Sequence, residues 1–312
     1  MTSRIVVAGV SSLYMALPVE GFPLPHVPIR FPDWLRAEVS GAGCAIAHTL
    51  RTLGDEVRLC TLVGEDVAGA AITASLRERG LLGPGVVRTP ASSLGVVLVA
   101  PDGRHRGHPY LAAVNAVEYP IETFRRQIHD CDLAVLTNAA FVRPLLEPAR
   151  AEGVPIAVDV HLIGDVADDY NRPWLEAADI IFCSDGRLPC PPEEWIRRIF
   201  HRYPGCSIAA IGLGGRGCLM GLDDGTLIRV AAVAPRGVAS TSGAGDALFA
   251  SFLHCWLATR NPVEALRAAV LHAGWKIGDT FPSSQSLTEE ELAALRERHH
   301  VATVLGRWRP DS

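Results

Sequence analysis

Short runs of apolar residues alternate along the chain with longer stretches whose apolar positions recur every three or four residues. The short runs are 5–8, 57–62, 96–100, 133–136, 155–158, 180–183 and 208–211, each the length of a buried strand. Between them, 42–53, 67–79, 121–128, 143–151 and 193–203 carry helical spacing. Continuous apolar strands followed by amphipathic helices form βα units, so the pattern predicts an α/β fold on a mainly parallel sheet. Ligands of such sheets bind beyond the carboxyl ends of the strands.

Two segments break this rhythm. Residues 18–33 hold five prolines (Pro18, Pro23, Pro25, Pro28, Pro32), which exclude a helix. Residues 92–115 read as a hairpin turning at Pro101-Asp102-Gly103. Both interruptions are accounted for by a small β-rich lid, about 12–39 and 92–117, inserted into one domain spanning 1–312, because no repeat, linker or low-complexity tract divides the chain. In the last third, short strands near 218–221 and 226–231 precede Ser240-Thr241-Ser242-Gly243-Ala244-Gly245-Asp246 and a helix over 247–259. A second helix starts at Pro262 and runs to about Ile277; a third covers 288–300, with Thr288 and Glu291 at capping-box spacing.

Composition narrows the chemistry. With 48% apolar and 20% charged residues the chain is an ordinary globular sequence. A net charge of −5 gives no support to nucleic-acid or anionic-membrane binding. Of 29 basic residues only Lys276 is a lysine. That excludes a G-x-x-x-x-G-K-[ST] phosphate loop and the strand lysine of protein kinases, and leaves Lys276 alone for any Schiff base. Phosphate would have to be held by backbone amides, helix ends and arginine. The eight cysteines are scattered with no C-x-x-C pair, and the chain opens directly on an apolar strand, which reads as a reduced, cytoplasmic protein. No apolar run approaches the roughly 20 residues of a membrane span.

Gly243-Ala244-Gly245-Asp246 carries the strongest chemical signal. Small residues admit a ligand to the backbone, and the free amides and dipole of a helix N-terminus attract an anion. Asp246, at the same terminus, can take a proton from a hydroxyl, a combination suited to phosphoryl transfer. Alone, the same residues also describe a helix start with small residues for packing.

Further blocks accompany that motif. Ser242-Gly243-Ala244-Gly245-Asp246-Ala247, Ser40-Gly41-Ala42-Gly43-Cys44-Ala45 with Leu53-Gly54 and Val63-Gly64-Glu65-Asp66, and Gly212-Leu213-Gly214-Gly215-Arg216-Gly217 resemble, in order and spacing, the ribokinase-like (PfkB) family of sugar and nucleoside kinases. The resemblance covers nearly the whole chain. It implies a three-layer α/β/α sandwich with a β-rich lid, and an ATP-dependent phosphotransferase acting on an alcohol (hydroxymethyl) group of a sugar-like or nucleoside-like molecule. Asp246 would be the general base, and the amides of Gly243, Ala244 and Gly245 the anion hole. ATP would contact Gly212, Gly214, Gly217, Thr241, His272 and the segment holding Ser184 and Arg187. The acceptor would meet Ser12, Tyr14, Gly41, Gly43, Ala45, Asn138 and Asp159, with His161 a weaker candidate that reads equally as an exposed loop residue. A homodimer through the lid is a further implication.

Several positions depart from the family pattern. Ser12-Leu13-Tyr14 stands where an Asn-x-Asp is usual, and Ala45 replaces an Asn, so two groups that grip sugar hydroxyls are missing and the acceptor should differ. Tyr14 reads either as a wall or stacking surface for the acceptor or as packing. Asn-x-x-Glu appears as Ser184-Asp185-Gly186-Arg187, and the Asp tied to a monovalent cation is Ser240. Mg²⁺ is therefore expected to arrive with ATP, no metal ligand is assigned, and potassium activation is not expected. Arg104, His105, Arg106 and His108 on the hairpin read as a solvated turn, or else as phosphate contacts. The same departures favour, as the alternative, a catalytically degenerate kinase-fold binding or regulatory protein. A dinucleotide oxidoreductase is disfavoured, because Gly9-Val10-Ser11-Ser12 follows the first strand where G-x-G-x-x-G is required.

Overall fold

The computed structural model describes residues 2–102, 104–279 and 285–308. Its strands are β1 (Arg4–Ala8), β2 (Ser12–Pro18), β3 (Arg36–Ser40), β4 (Glu56–Gly64), β5 (Val86–Thr89), β6 (Ser93–Val99), β7 (His105–Tyr110), β8 (Leu133–Leu136), β9 (Ile156–Leu162), β10 (Ile180–Ser184), β11 (Ile208–Gly212), β12 (Cys218–Leu222), β13 (Thr226–Val230) and β14 (Thr303–Arg307). Its helices are α1 (Ala42–Leu53), α2 (Val67–Glu78), α3 (Ala112–Asn115), α4 (Ile121–Ile128), α5 (Leu146–Glu152), α6 (Arg172–Ala177), α7 (Pro192–Arg202), α8 (Ala244–Thr259), α9 (Pro262–Lys276) and α10 (Glu289–Arg298).

Ten strands form one sheet in the order β14-β13-β12-β11-β10-β9-β8-β1-β4-β5. The pairings from β5 across to β11 are parallel, and β12, β13 and β14 continue antiparallel. Alternation within β1 shows how the core is split. Ile5 and Val7 join the apolar layer under α1, α2, α8, α9 and α10, while Val6 and Ala8 join the layer under α4 to α7. All four are fully buried, so both faces of the sheet are covered and the fold is the three-layer α/β/α sandwich.

The remaining strands form a separate sheet, β3-β2-β6-β7. β6 and β7 are the antiparallel hairpin that the pattern predicts, whereas β2 pairs with β6 in parallel. Gly103 of the expected turn lies outside the described residues. The proline-rich segment between β2 and β3 contains neither helix nor strand. This small sheet is the lid.

Two helix expectations are corrected. Residues 140–145 form a 3₁₀ segment before α5, because Pro144 has no N–H to give to an α-helical ladder. α8 begins at Ala244 rather than 247, since Gly243, in a left-handed conformation (φ 74°), lets Gly245 and Asp246 enter the first turn. The capping box at Thr288 is present, with the Thr288 side chain accepting from Glu291 N–H and the Glu291 carboxylate from Thr288 N–H.

Candidate active site

A cavity of about 340 Å³ opens between the lid and the N-terminus of α8. Tyr14, Glu38, Val97 and His105 line it from the lid, Gly41 from the start of α1, His161 from the end of β9, and Gly243 and Asp246 from α8. It therefore lies beyond the carboxyl ends of the parallel strands, where open α/β sheets place their ligands. The mouth of α8 is held by core packing. Phe249 and Phe252 meet the ring of Phe182 on β10 at 4.9 and 5.2 Å, and both are fully buried. Each buried aromatic of this kind contributes roughly 2 kcal/mol, enough to fix the helix start against the sheet.

The first ladder bond of α8 runs from Ala247 N–H to Gly243 O at 3.0 Å. Among the described residues the amides of Gly245 and Asp246 have no partner, and Ala244 N–H reaches Thr241 O only at 3.4 Å. Nothing stands within 4 Å of the position a Cβ would take on Gly245. Asp246 Oδ1 is buried and has no hydrogen-bond partner among the described residues. A buried, unsatisfied carboxylate oxygen is costly and is kept where a ligand donor completes it. Burial pushes the Asp246 carboxyl up to about 6; His161 pulls it down, Asp159 pushes it up and Lys276 pulls it down.

Asp159, buried midway along β9, accepts the His161 N–H at 2.8 Å, and its Oδ2 lies 3.5 Å from His161 Nδ1. The Asp159 charge raises the His161 pKa, burial opposes this, and Asp246 raises it further. Tyr14 packs over Gly95, and burial followed by the nearby Asp246 charge raises its hydroxyl pKa. Thr241 Oγ1 lies 3.5 Å from His105 Nδ1, so the lid strand β7 touches the loop that leads into α8.

The turn after β11 is closed by Gly217 N–H to Gly214 O (3.0 Å) and Leu213 N–H to Gly217 O (2.8 Å). Gly217 (φ 93°) must be glycine, since a Cβ there would lie 2.0 Å from Val230 O. Gly214 and Gly215 face open space. Asp185 is ion-paired with Arg216 of this turn, and Arg187 lies exposed beside Gly164. Lys276 is 6% exposed; its Nζ donates to the Gln285 carbonyl, and burial pulls its pKa down to about 8.

Several residues expected at the site do not line this cavity. Ser12 is fully buried, its hydroxyl shared with Ser93 Oγ. Gly43 lies against Gly9, where a Cβ would meet the Gly9 carbonyl carbon at 2.4 Å. Ala45 is half-buried on α1 outside the cavity lining. Asn138 donates to Asn171 Oδ1 (3.0 Å) and its carbonyl accepts from the Tyr170 hydroxyl (2.7 Å), a network behind the cleft. His272 is fully buried, with Nδ1 at Ser251 Oγ (2.6 Å) and Nε2 accepting from Leu287 N–H (3.2 Å), so it braces the 285–287 segment. On the hairpin, Arg104 pairs with Asp102 at 2.6 Å and Arg106 stacks over Phe22 at 4.7 Å, leaving His105 as the cleft residue of that group.

His161, which the sequence left equally open as an exposed loop residue, lies on β9 and lines the cavity. The available signal was its position two residues past Asp159 at a strand end, but its conformation depends on pairing with β10.

Comparisons with known proteins agree with this fold. The profile of the pfkB family carbohydrate kinase matches residues 3–289. The bifunctional protein HldE of Caulobacter vibrioides is 26% identical over 318 residues, 92% of this chain and 64% of that protein, so the chain spans under two thirds of that relative's length. An ATP-dependent ribose-1-phosphate kinase of Halopiger xanaduensis is 28% identical over 275 residues, 83% of this chain and 88% of that protein. In structure, the microbiome-derived acarbose kinase Mak1 superposes with a TM-score of 0.85 over 96% of this chain and 100% of that one, at 20% identity.

Proposed function

We infer from the cleft of a chain that belongs to the pfkB family of carbohydrate kinases that it transfers the γ-phosphoryl group of ATP to an alcohol oxygen, a hydroxymethyl group, of a sugar-like or nucleoside-like small molecule. The buried, unpartnered Asp246 Oδ1 beside the open first turn of α8 carries this reading. A pure binding protein has no use for an orphan carboxylate at an anion site, and this weighs against the degenerate alternative.

The residues fit a nucleotide polyphosphate. Two free amides and an unobstructed glycine form the anion cradle, and the open face of Gly214 and Gly215 leaves room for the nucleotide. ATP when bound supplies the phosphoryl group, and Mg²⁺ bound to it offsets phosphate charge. Among the described residues no three His, Cys, Asp or Glu side chains converge as a metal site. Asp246 accepts the acceptor's hydroxyl proton through Oδ1, and the amides of Gly245 and its neighbours hold the charge that develops. Tyr14, Val97 and Val99 give the acceptor an apolar wall, while Glu38, His105 and Ser40 supply polar contacts. No arginine lines the cavity among the described residues, which favours an uncharged acceptor over a sugar phosphate. ADP release with Mg-ATP across a panel of neutral sugars, nucleosides and their phosphates tests the reading. Release no faster than the acceptor-free background for every member would overturn it.

We assign the outer face of the lid to a second copy of the chain. Met15, Leu94, Val96 and Tyr110 are 42, 41, 37 and 54% exposed there, on a sheet whose edge strands β3 and β7 each pair on one side only among the described residues. Sedimentation should show a dimer that Val96→Lys dissociates; a wild-type monomer at assay concentration refutes it.

A further inference from the structure

The end of β9 contains a device that the reading above leaves unused. Asp159 pairs with Phe182 on β10, and Leu162 pairs with Ser184, so three steps along β9 face two along β10. The irregularity falls at Val160 and His161, and His161 adopts a left-handed conformation with φ 55°. Bulges beside ligand sites re-aim side chains, and a non-glycine residue held in this region stores strain that the surroundings must sustain. Here Asp159 sustains it, fastening both the backbone N–H and the ring Nδ1 of His161. The ring is half-exposed and lines the same cavity as Asp246.

We propose that His161 is a further catalytic residue. With Nδ1–H turned to Asp159, its Nε2–H is a cationic donor to an oxygen of the phosphoryl group in transit, a role for which this chain has no exposed lysine. The proposal rests on the kinase reading of the cleft. In the step, the acceptor hydroxyl gives its proton to Asp246 and its oxygen bonds to the γ-phosphorus of ATP. The bond from that phosphorus to the β,γ-bridging oxygen breaks, and ADP leaves with the electron pair. His161 keeps its proton throughout.

The groups facing His161 are Asp159 on its own strand and Asp246 on α8, with Glu38 of β3, His105 of β7 and Tyr14 of β2 around the cavity. Two carboxylates favour the imidazolium, whose pKa is raised above 6.5, while Asp246 ionises at about 6. Between the two titrations the base and the cation are present together. Turnover should rise with pH as Asp246 ionises and fall again as His161 loses its proton.

The test combines ring titration by NMR with steady-state kinetics. Adding Mg-bound β,γ-methylene-ATP should move the His161 titration upward by at least about half a unit, because an anion meets the cation. His161→Asn, which tolerates the left-handed backbone, should lower kcat roughly a hundredfold with little change in acceptor KM, and abolish the alkaline limb. His161→Lys should restore much of kcat and hold it through the alkaline range. An unmoved His161 titration, or a His161→Asn enzyme with wild-type kcat and an intact alkaline limb, overturns the proposal. Should Asp246→Asn also keep wild-type turnover, the kinase reading itself has failed; loss in Asp246→Asn with His161 silent sinks only the histidine.

Discussion

Replacing Asp246 by Asn should remove activity and add stability at once. The two side chains have the same shape, but the amide cannot take a proton, so kcat should fall at least about a hundredfold. Stability moves the other way. The Asp246 carboxyl stands at about 6 against an ordinary 3.8, chiefly because its charge is buried. A difference near 2.2 units corresponds to about 3 kcal/mol at 25 °C. The folded state holds the extra proton between these two values, so stability from this group falls as pH rises through that window and the cost is complete above about 6. At pH 7 roughly nine-tenths of Asp246 is ionised, and Asp246→Asn should gain up to about 3 kcal/mol. For a chain of this length that is about 5 °C in Tm. The gain should shrink toward zero near pH 4, where the wild-type carboxyl is already protonated. Differential scanning calorimetry of both proteins from pH 4 to 8, with ADP release at each pH, checks both halves. Equal turnover refutes the general base; a loss of stability at pH 7 refutes the net cost of burying that charge.

Two further substitutions probe the cavity wall and the sheet–helix contact. Gly95→Ala places a Cβ 2.1 Å from Tyr14 Cε1, driving the ring toward the cleft; acceptor KM should rise about tenfold, and Tyr14→Ala in the same chain should relieve it. Gly43→Ala sets a Cβ 2.4 Å from the Gly9 carbonyl carbon, backbone against backbone; thermal unfolding should show a loss of about 2–3 kcal/mol, and an unchanged Tm would contradict the close approach of β1 and α1.

Elements with a repeating apolar face were legible from the chain. Residues 42–53, 121–128 and 133–136 form α1, α4 and β8 with the expected bounds, because each buries one stripe or a whole strand. β3 and β14 were not, since only Val39 of β3 is buried, most of β14 is exposed, and an edge strand needs no apolar alternation. At the site, Gly243 to Asp246 could be read because the chemistry is local to one helix start. Ser12, Asn138 and His272 could not be placed, because what occupies their polar atoms lies 81, 33 and 21 residues away at Ser93, Asn171 and Ser251. His161 needed more still, since its direction follows from a register shift between two strands.

The solitary lysine has a consequence beyond the cleft. Lys276 is sealed against the Gln285 carbonyl, so every exposed side-chain cation on the described surface is a guanidinium or an imidazole. Acetyl or methyl transfer to a lysine and isopeptide tagging accordingly find no accessible side-chain amine there. Guanidiniums hold their protons far into alkali, so the outer cationic pattern stays constant across a pH range in which a lysine-rich surface would discharge.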